Sequence, residues 1–177
     1  MSKLNLYQEV QYKPTEKVMM ISPDKIKKNS YIDLNVDEKT LKVSVEFVQD
    51  IIIKESLGWD LFSTLAELIK SGSVEGQWQV LLEEYIHPIF YYGVVAEMII
   101  PLSYKNRNLG TYKITDDKAE SSNLSDIKYL INYYKNKRDY YTSKLQDYLI
   151  CNKYFAQFEC PCVKRNYNYN VPINISL

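Results

Sequence analysis

Apolar positions recur at helical spacing along most of this chain and switch to a period of two only near its end. Leu41, Val45, Val48 and Ile52 fall on one side of a helix. Val43, Phe47 and Ile51 form a second apolar stripe on another side of the same segment. A helix apolar on two sides needs two neighbours, either inside its own domain or one in an adjacent subunit. This first helix is expected to start near Asn35, with Asp37 and Glu38 at its positive dipole end, and to stop at Gly58. Trp59 to Ile69 reads as a short second helix, closed by Ser71-Gly72-Ser73. A third runs from about Val74 to Ile86, with Trp78, Leu81, Leu82 and Tyr85 on its apolar side.

Pro88 either kinks that helix or opens a new one at a first-turn position, where its missing N–H costs nothing. Ile89 to Leu102 is apolar in almost every direction and belongs at the centre of the fold, ended by Pro101 and the turn from Asn106 through Asn108 to Gly110. Thr111 to Thr115 has the character of a short strand within a polar loop. Ser122 or Ser125 then caps the longest helix, which reaches about Ile150. Ile127, Ile131, Tyr134, Tyr141, Leu145 and Leu149 make its inward stripe, while Tyr129, Tyr133 and Tyr140 line an otherwise polar face.

Both ends read as extended. Residues 1–34 are polar except for Val18-Met19-Met20-Ile21, stopped by Ser22-Pro23-Asp24, a pattern of an arm or edge strand followed by a turn. In the tail, Tyr167, Tyr169, Val171, Ile173, Ile175 and Leu177 alternate strictly with polar residues or proline. Pro172 cannot donate to a ladder, so this strand belongs on an edge or crosses to another chain. The expected fold is mainly α: a small bundle of about four to five helices with a long C-terminal helix. An N-terminal arm (1–34) precedes the helical domain (35–158), and an extended tail (159–177) ends in an edge strand.

Composition narrows the function. At 177 residues the chain can bury a core without metal or disulfide support. Lysine plus arginine and aspartate plus glutamate balance at 22 each, so no global field draws it onto nucleic acid or an anionic membrane. Three cysteines and an N-terminus without an apolar run point to a reducing compartment. Tyr85 to Tyr104 approaches the length of a membrane span, but His87, Pro88, Glu97 and Pro101 favour a buried helix in a soluble protein. The 17 tyrosines accompany abundant Lys, Ile and Asn and fit the codon bias of an A+T-rich genome.

Catalytic and metal signals are weak. His87, the single histidine, has no sequence neighbour that completes a site, so packing at a helix break explains it better than acid–base work. Glycine-rich phosphate loops and nucleophile elbows do not occur. Cys160-Pro161-Cys162 with Cys151 lacks the usual spacing of a zinc pair, and Asp116-Asp117 with Glu120 lacks a calcium-loop pattern. No catalytic residue, metal or cofactor is expected. Lys135, Lys137, Arg138 and Lys144 among the tyrosines suggest a basic face, diluted by Asp139 and Asp147 and best read as solvated. Arg138 falls within the apolar stripe, and Glu97 is the one acid of the central helix; an ion pair between them would remove the cost of two unpaired charges.

The order of these signals, from Ile26 to Phe158, resembles the head–tail connector (adaptor, head-completion or neck) proteins of tailed bacteriophages. The matching positions are Tyr31, Ile32, Val36, Leu57, Gly58, Leu61, Leu65, Pro88, Asn108 and Gly110, mostly core and turn residues. The resemblance implies a structural virion protein and no enzyme: a homo-oligomeric ring of about twelve copies between the portal and the next neck or tail component. DNA would be passing cargo, no membrane would be involved, and assembly would occur in the host cytoplasm. Tyr129, Tyr133, Tyr140 and the tail would then serve subunit or partner contacts. The alternative is a small helical phage-encoded binding module, a regulator or DNA-associated protein. Deleting residues 168–177 should leave the helix content by circular dichroism unchanged and weaken assembly; unfolding on deletion would make the tail an internal strand.

Overall fold

The structure, a computed structural model, describes residues 17–107, 110–113, 124–155 and 157–158. Helix α1 (Pro23–Asn29) begins where Ser22, in extended backbone, accepts a hydrogen bond from the Lys25 N–H, with Pro23 in the first turn and Asp24 beside it. Ser22-Pro23-Asp24 therefore opens a helix and does not close an arm; the same residue types serve turns and helix starts. The preceding Val18–Ile21 is not a strand. Met20 and Ile21 are buried. The buried Gln49 carboxamide clasps the backbone of this segment, accepting from the Met20 N–H and donating to the Val18 carbonyl, each at 2.9 Å. One side chain thus supplies the hydrogen bonds a strand partner would have made.

Asp37 itself is the cap of α2 (Glu38–Val48), accepting from the Thr40 N–H at 2.9 Å, so the helix starts later than Asn35. It continues through a π-helical turn at Gln49–Ile53 into α3 (Lys54–Leu57). Gly58, at φ 76°, separates α3 from α4 (Trp59–Ser71), and Gly72 ends α4 in the left-handed region at φ 70°. A second unbroken helix comprises α5 (Gln77–Val80), a π-helical turn at Leu81–Ile86 and α6 (His87–Ser103). Pro88 does not open a separate helix: Gln77–Ser103 is continuous through it. The ladder changes register just before it, the His87 N–H donating to the Leu82 carbonyl five residues back. Pro101 likewise sits within the last turns of α6 rather than ending it.

A short antiparallel hairpin follows, β1 (Tyr104–Arg107) with β2 (Gly110–Lys113), Arg107 opposite Gly110. Two residues connect the strands, which explains the turn signals around Gly110. Helix α7 (Leu124–Cys151) then runs 28 residues, roughly 40 Å. The described residues are thus mainly helical, in five continuous helical stretches of which the last is long. Asn108 and the tail residues Tyr167, Tyr169, Val171, Ile173, Ile175 and Leu177 lie outside the described residues.

Helix α6 packs against both α2 and α7. Ile89, Phe90, Val94 and Met98 are buried within it, as its uniform apolarity requires. The stretch Gln77–Ser103 is long and apolar enough to cross a membrane by length and composition, and half of its most apolar window is buried inside this fold. Beyond α7 the chain turns back so that Tyr154, Phe155 and Phe158 surround Trp78, whose Nε1–H donates to the Tyr154 hydroxyl at 3.0 Å.

At Gly93 side chains of two neighbouring helices come close to α6. A Cβ there would lie 3.2 Å from both Val48 methyls on α2 and 3.4 Å from Arg138 Cδ on α7. Gly93→Val should therefore force α2 away from α6 and lower stability by about 1–3 kcal/mol, read as a lower urea midpoint. An unchanged midpoint would show that the contact is slack.

Candidate interaction site

The two apolar stripes of α2 have different fates. Leu41, Val45 and Val48 are wholly buried and Ile52 packs beside them. Val43, Phe47 and Ile51 stay outside at 63%, 45% and 50% exposure, uncovered by any described residue. These three exposed side chains are aligned along one side of the helix and not scattered singly. They border an open cleft of about 320 Å³ between α2 and α7, into which Phe47, Ile51, Glu97, Arg138 and Thr142 project.

Glu97 and Arg138 thus reach the same cleft, but the ion pair expected between them does not form. Arg138 instead donates from Nε and Nη2 to Asp139 Oδ1, at 2.8 and 2.6 Å. Its stem lies beside Gly93, and its guanidinium, in a side chain only 17% exposed, meets the adjacent exposed carboxylate. Glu97 is only half-buried, so water can serve it.

Most of the expected inward stripe of α7 faces the core: Ile127, Leu145 and Leu149 are buried and Tyr134 and Tyr141 pack on the core, whereas Ile131 is half-buried and does not join the core cluster. Tyr129, Tyr133 and Tyr140 are exposed. Tyr133 and Tyr140 frame an open pocket of about 450 Å³ together with Tyr92, Lys137 and Tyr141. The Lys137 ammonium sits 4.5 Å from the Tyr133 ring centre and 5.3 Å from Tyr92; Lys144 lies 5.4 Å from Tyr140. A hydrogen bond to the Tyr133 hydroxyl holds Lys137 above the usual lysine pKa, and burial raises Tyr92. The pairing of these lysines with the tyrosines carried a signal in the sequence: Tyr133 and Lys137, like Tyr140 and Lys144, stand four apart, the spacing that brings helix neighbours together.

The single basic face suggested by sequence divides in two. Tyr133, Lys137, Tyr140 and Lys144 lie on one flank of α7, while Lys135, Asp139, Thr142 and Gln146 line the cleft. The spacings are identical but displaced by two residues, which at ~100° per residue places the sets on opposite sides of the helix.

His87 is buried, with Nε2 at 3.3 Å from the Met20 carbonyl. Nε2–H therefore donates, and Nδ1 is buried with no hydrogen-bond partner among the described residues. Met20 is thus held on its N–H by Gln49 and on its carbonyl by His87. Desolvation, aided by Lys25, lowers the imidazole pKa from 6.5 to about 4. The histidine is a neutral clasp in the fold. Among the described residues no group of three or more His, Cys, Asp or Glu side chains is arranged to hold a metal; Cys160 and Cys162 lie outside them.

A family model described as a family of unknown function, DUF6712, matches residues 53–168. The chain belongs to this family. No curated protein and no solved structure matches it. The matched span starts in the first π-helical turn and takes in all of α4 to α7, hence the whole tyrosine–lysine flank and Gly93. The outward stripe of α2 precedes it.

The His87 clasp makes a pH prediction. Between pH 6.5 and about 4 the unfolded chain binds a proton at this histidine that the folded chain refuses. The stabilisation from neutral His87 is complete above 6.5 and is lost as pH falls toward 4, by at most about 3 kcal/mol. Urea melts across that window should show the decline, and His87→Gln should flatten it; an equal decline in the variant would assign it to other groups.

Proposed function

We propose that this chain is a structural subunit whose copies pack side by side into a neck ring, joining the capsid portal of a tailed bacteriophage to its tail and leaving a channel for DNA. The observation that carries this reading is the outward stripe Val43, Phe47 and Ile51, a row of large apolar side chains with no cover in the described part of its own chain. Burying such a row against a neighbour removes it from water at about 25 cal/mol per Å². The tyrosine–lysine flank supplies a second surface of the rigid, amphipathic kind favoured in interfaces. The resemblance in residue pattern to connector proteins supports the specific setting, and equal numbers of acidic and basic residues suit a conduit that must release its DNA.

In this reading the subunit is mainly helical with an extended tail, and residues 167–177 add an edge strand to a neighbouring copy or to the next neck component. The ring requires no reaction, metal or cofactor, and its place is the virion.

Light scattering at high protein concentration, with negative-stain images of the same sample, tests the assembly. Closed rings of about a dozen subunits are the expected result. Detection of the chain in purified virions, at a copy number matching one ring, tests the setting. Its absence from virions would overturn the neck reading, whatever its solution mass.

A further inference from the structure

The two surfaces on either side of α7 are unlike each other and complementary. On the cleft side, the apolar stripe of α2 is flanked by Glu46, Asp50 and Glu55, and the cleft adds Glu97 and Asp139. Lys17 reaches Glu46 and Asp50, Arg138 pairs with Asp139, and Lys135 stands at the cleft wall. Around Phe47 and Ile51 and within the cleft, five carboxylates thus stand with three cations, while Lys39 and Lys42 stand beside Val43 at the far end of the strip. On the opposite flank, Lys137 and Lys144 alternate with Tyr133 and Tyr140, giving two positive charges set among aromatic rings. Asp147 lies past the end of the ladder.

We infer that the tyrosine–lysine flank of one copy docks on the outward stripe and cleft rim of the next, a head-to-tail contact between different faces of the same chain. This rests on the ring reading for its biological setting but not for its physics. Unlike faces on opposite sides cannot satisfy each other in a two-fold pair; repeated use adds copies in one direction, and such a series closes into a ring when its rotation permits. Tyr133 and Tyr140 meet Phe47, Ile51 and Val43, while Lys137 and Lys144 meet the carboxylates beside them. The ladder is already ordered. Lys137 is held over two rings and Lys144 over one, so less side-chain freedom is lost on docking than with free lysines.

Charge reversal on each face, singly and together, tests this in the full-length chain. Lys137→Glu with Lys144→Glu, or Glu46→Lys with Glu55→Lys, should each raise the concentration for half-association by at least about tenfold. Sedimentation velocity reads the change, with circular dichroism checking that the helices persist. Carrying all four substitutions in one chain should restore association, because each reversed face then meets a reversed partner. Association unaffected by either pair, or no recovery in the fourfold variant, would overturn the contact. A wild-type chain that remains monomeric at about millimolar concentration would also overturn it, while the neck reading would still stand or fall on the virion measurement.

Discussion

The close approach of α2, α6 and α7 at Gly93 is the constraint on which the rest of this structure depends. With no side chain on α6 there, the Val48 methyls settle onto its backbone from one side and the stem of Arg138 crosses it from the other. Any larger residue would push at least one helix outward, because packed interiors leave little slack. That contact fixes how far α2 and α7 stand apart, and so it sets the cleft between them. It also sets which sides of both helices face out. The buried stripe of α2 is spent on α6, leaving Val43, Phe47 and Ile51 without cover, while α7 buries Ile127, Leu145 and Leu149 and keeps its tyrosines outside.

A surface assembled in this way has a direction. The cleft lies on one flank of α7 and the aromatic–cation ladder on the other, so the molecule carries two chemically different surfaces there. The rest of the fold keeps these faces in place. Gln49 and His87 clasp Met20 from both sides, tying the segment before α1 to α2 and α6, and Trp78 gathers the chain after α7.

The helical elements were legible in the sequence because helix burial leaves a 3.6-residue trace, and the stripes of α2 and α7 carry it clearly. What escaped was of two kinds. Ser22-Pro23-Asp24 is equally good chemistry for a turn and for a helix start, and only the clasp by the distant Gln49 excludes a strand before it. Pro88 and Pro101 signal breaks, yet a π-helical turn and a position near a helix end accommodate them. The Glu97–Arg138 pair was sensible from two charges among apolar positions, but Arg138 takes the carboxylate of its sequence neighbour Asp139 instead. Exposure of the second stripe was legible only as a pair of alternatives. Whether a neighbour is internal or external is a tertiary fact with no local signature.

The claim that two unlike faces meet is tested most directly by placing a photoreactive residue at position 47 of the otherwise unchanged chain and mapping its intermolecular cross-links by mass spectrometry. The account predicts links to the flank of α7 between Tyr133 and Lys144 of a second copy. Links from position 47 to the α2 stripe of the second copy, around Val43 to Ile51, would mean a two-fold contact and would contradict it.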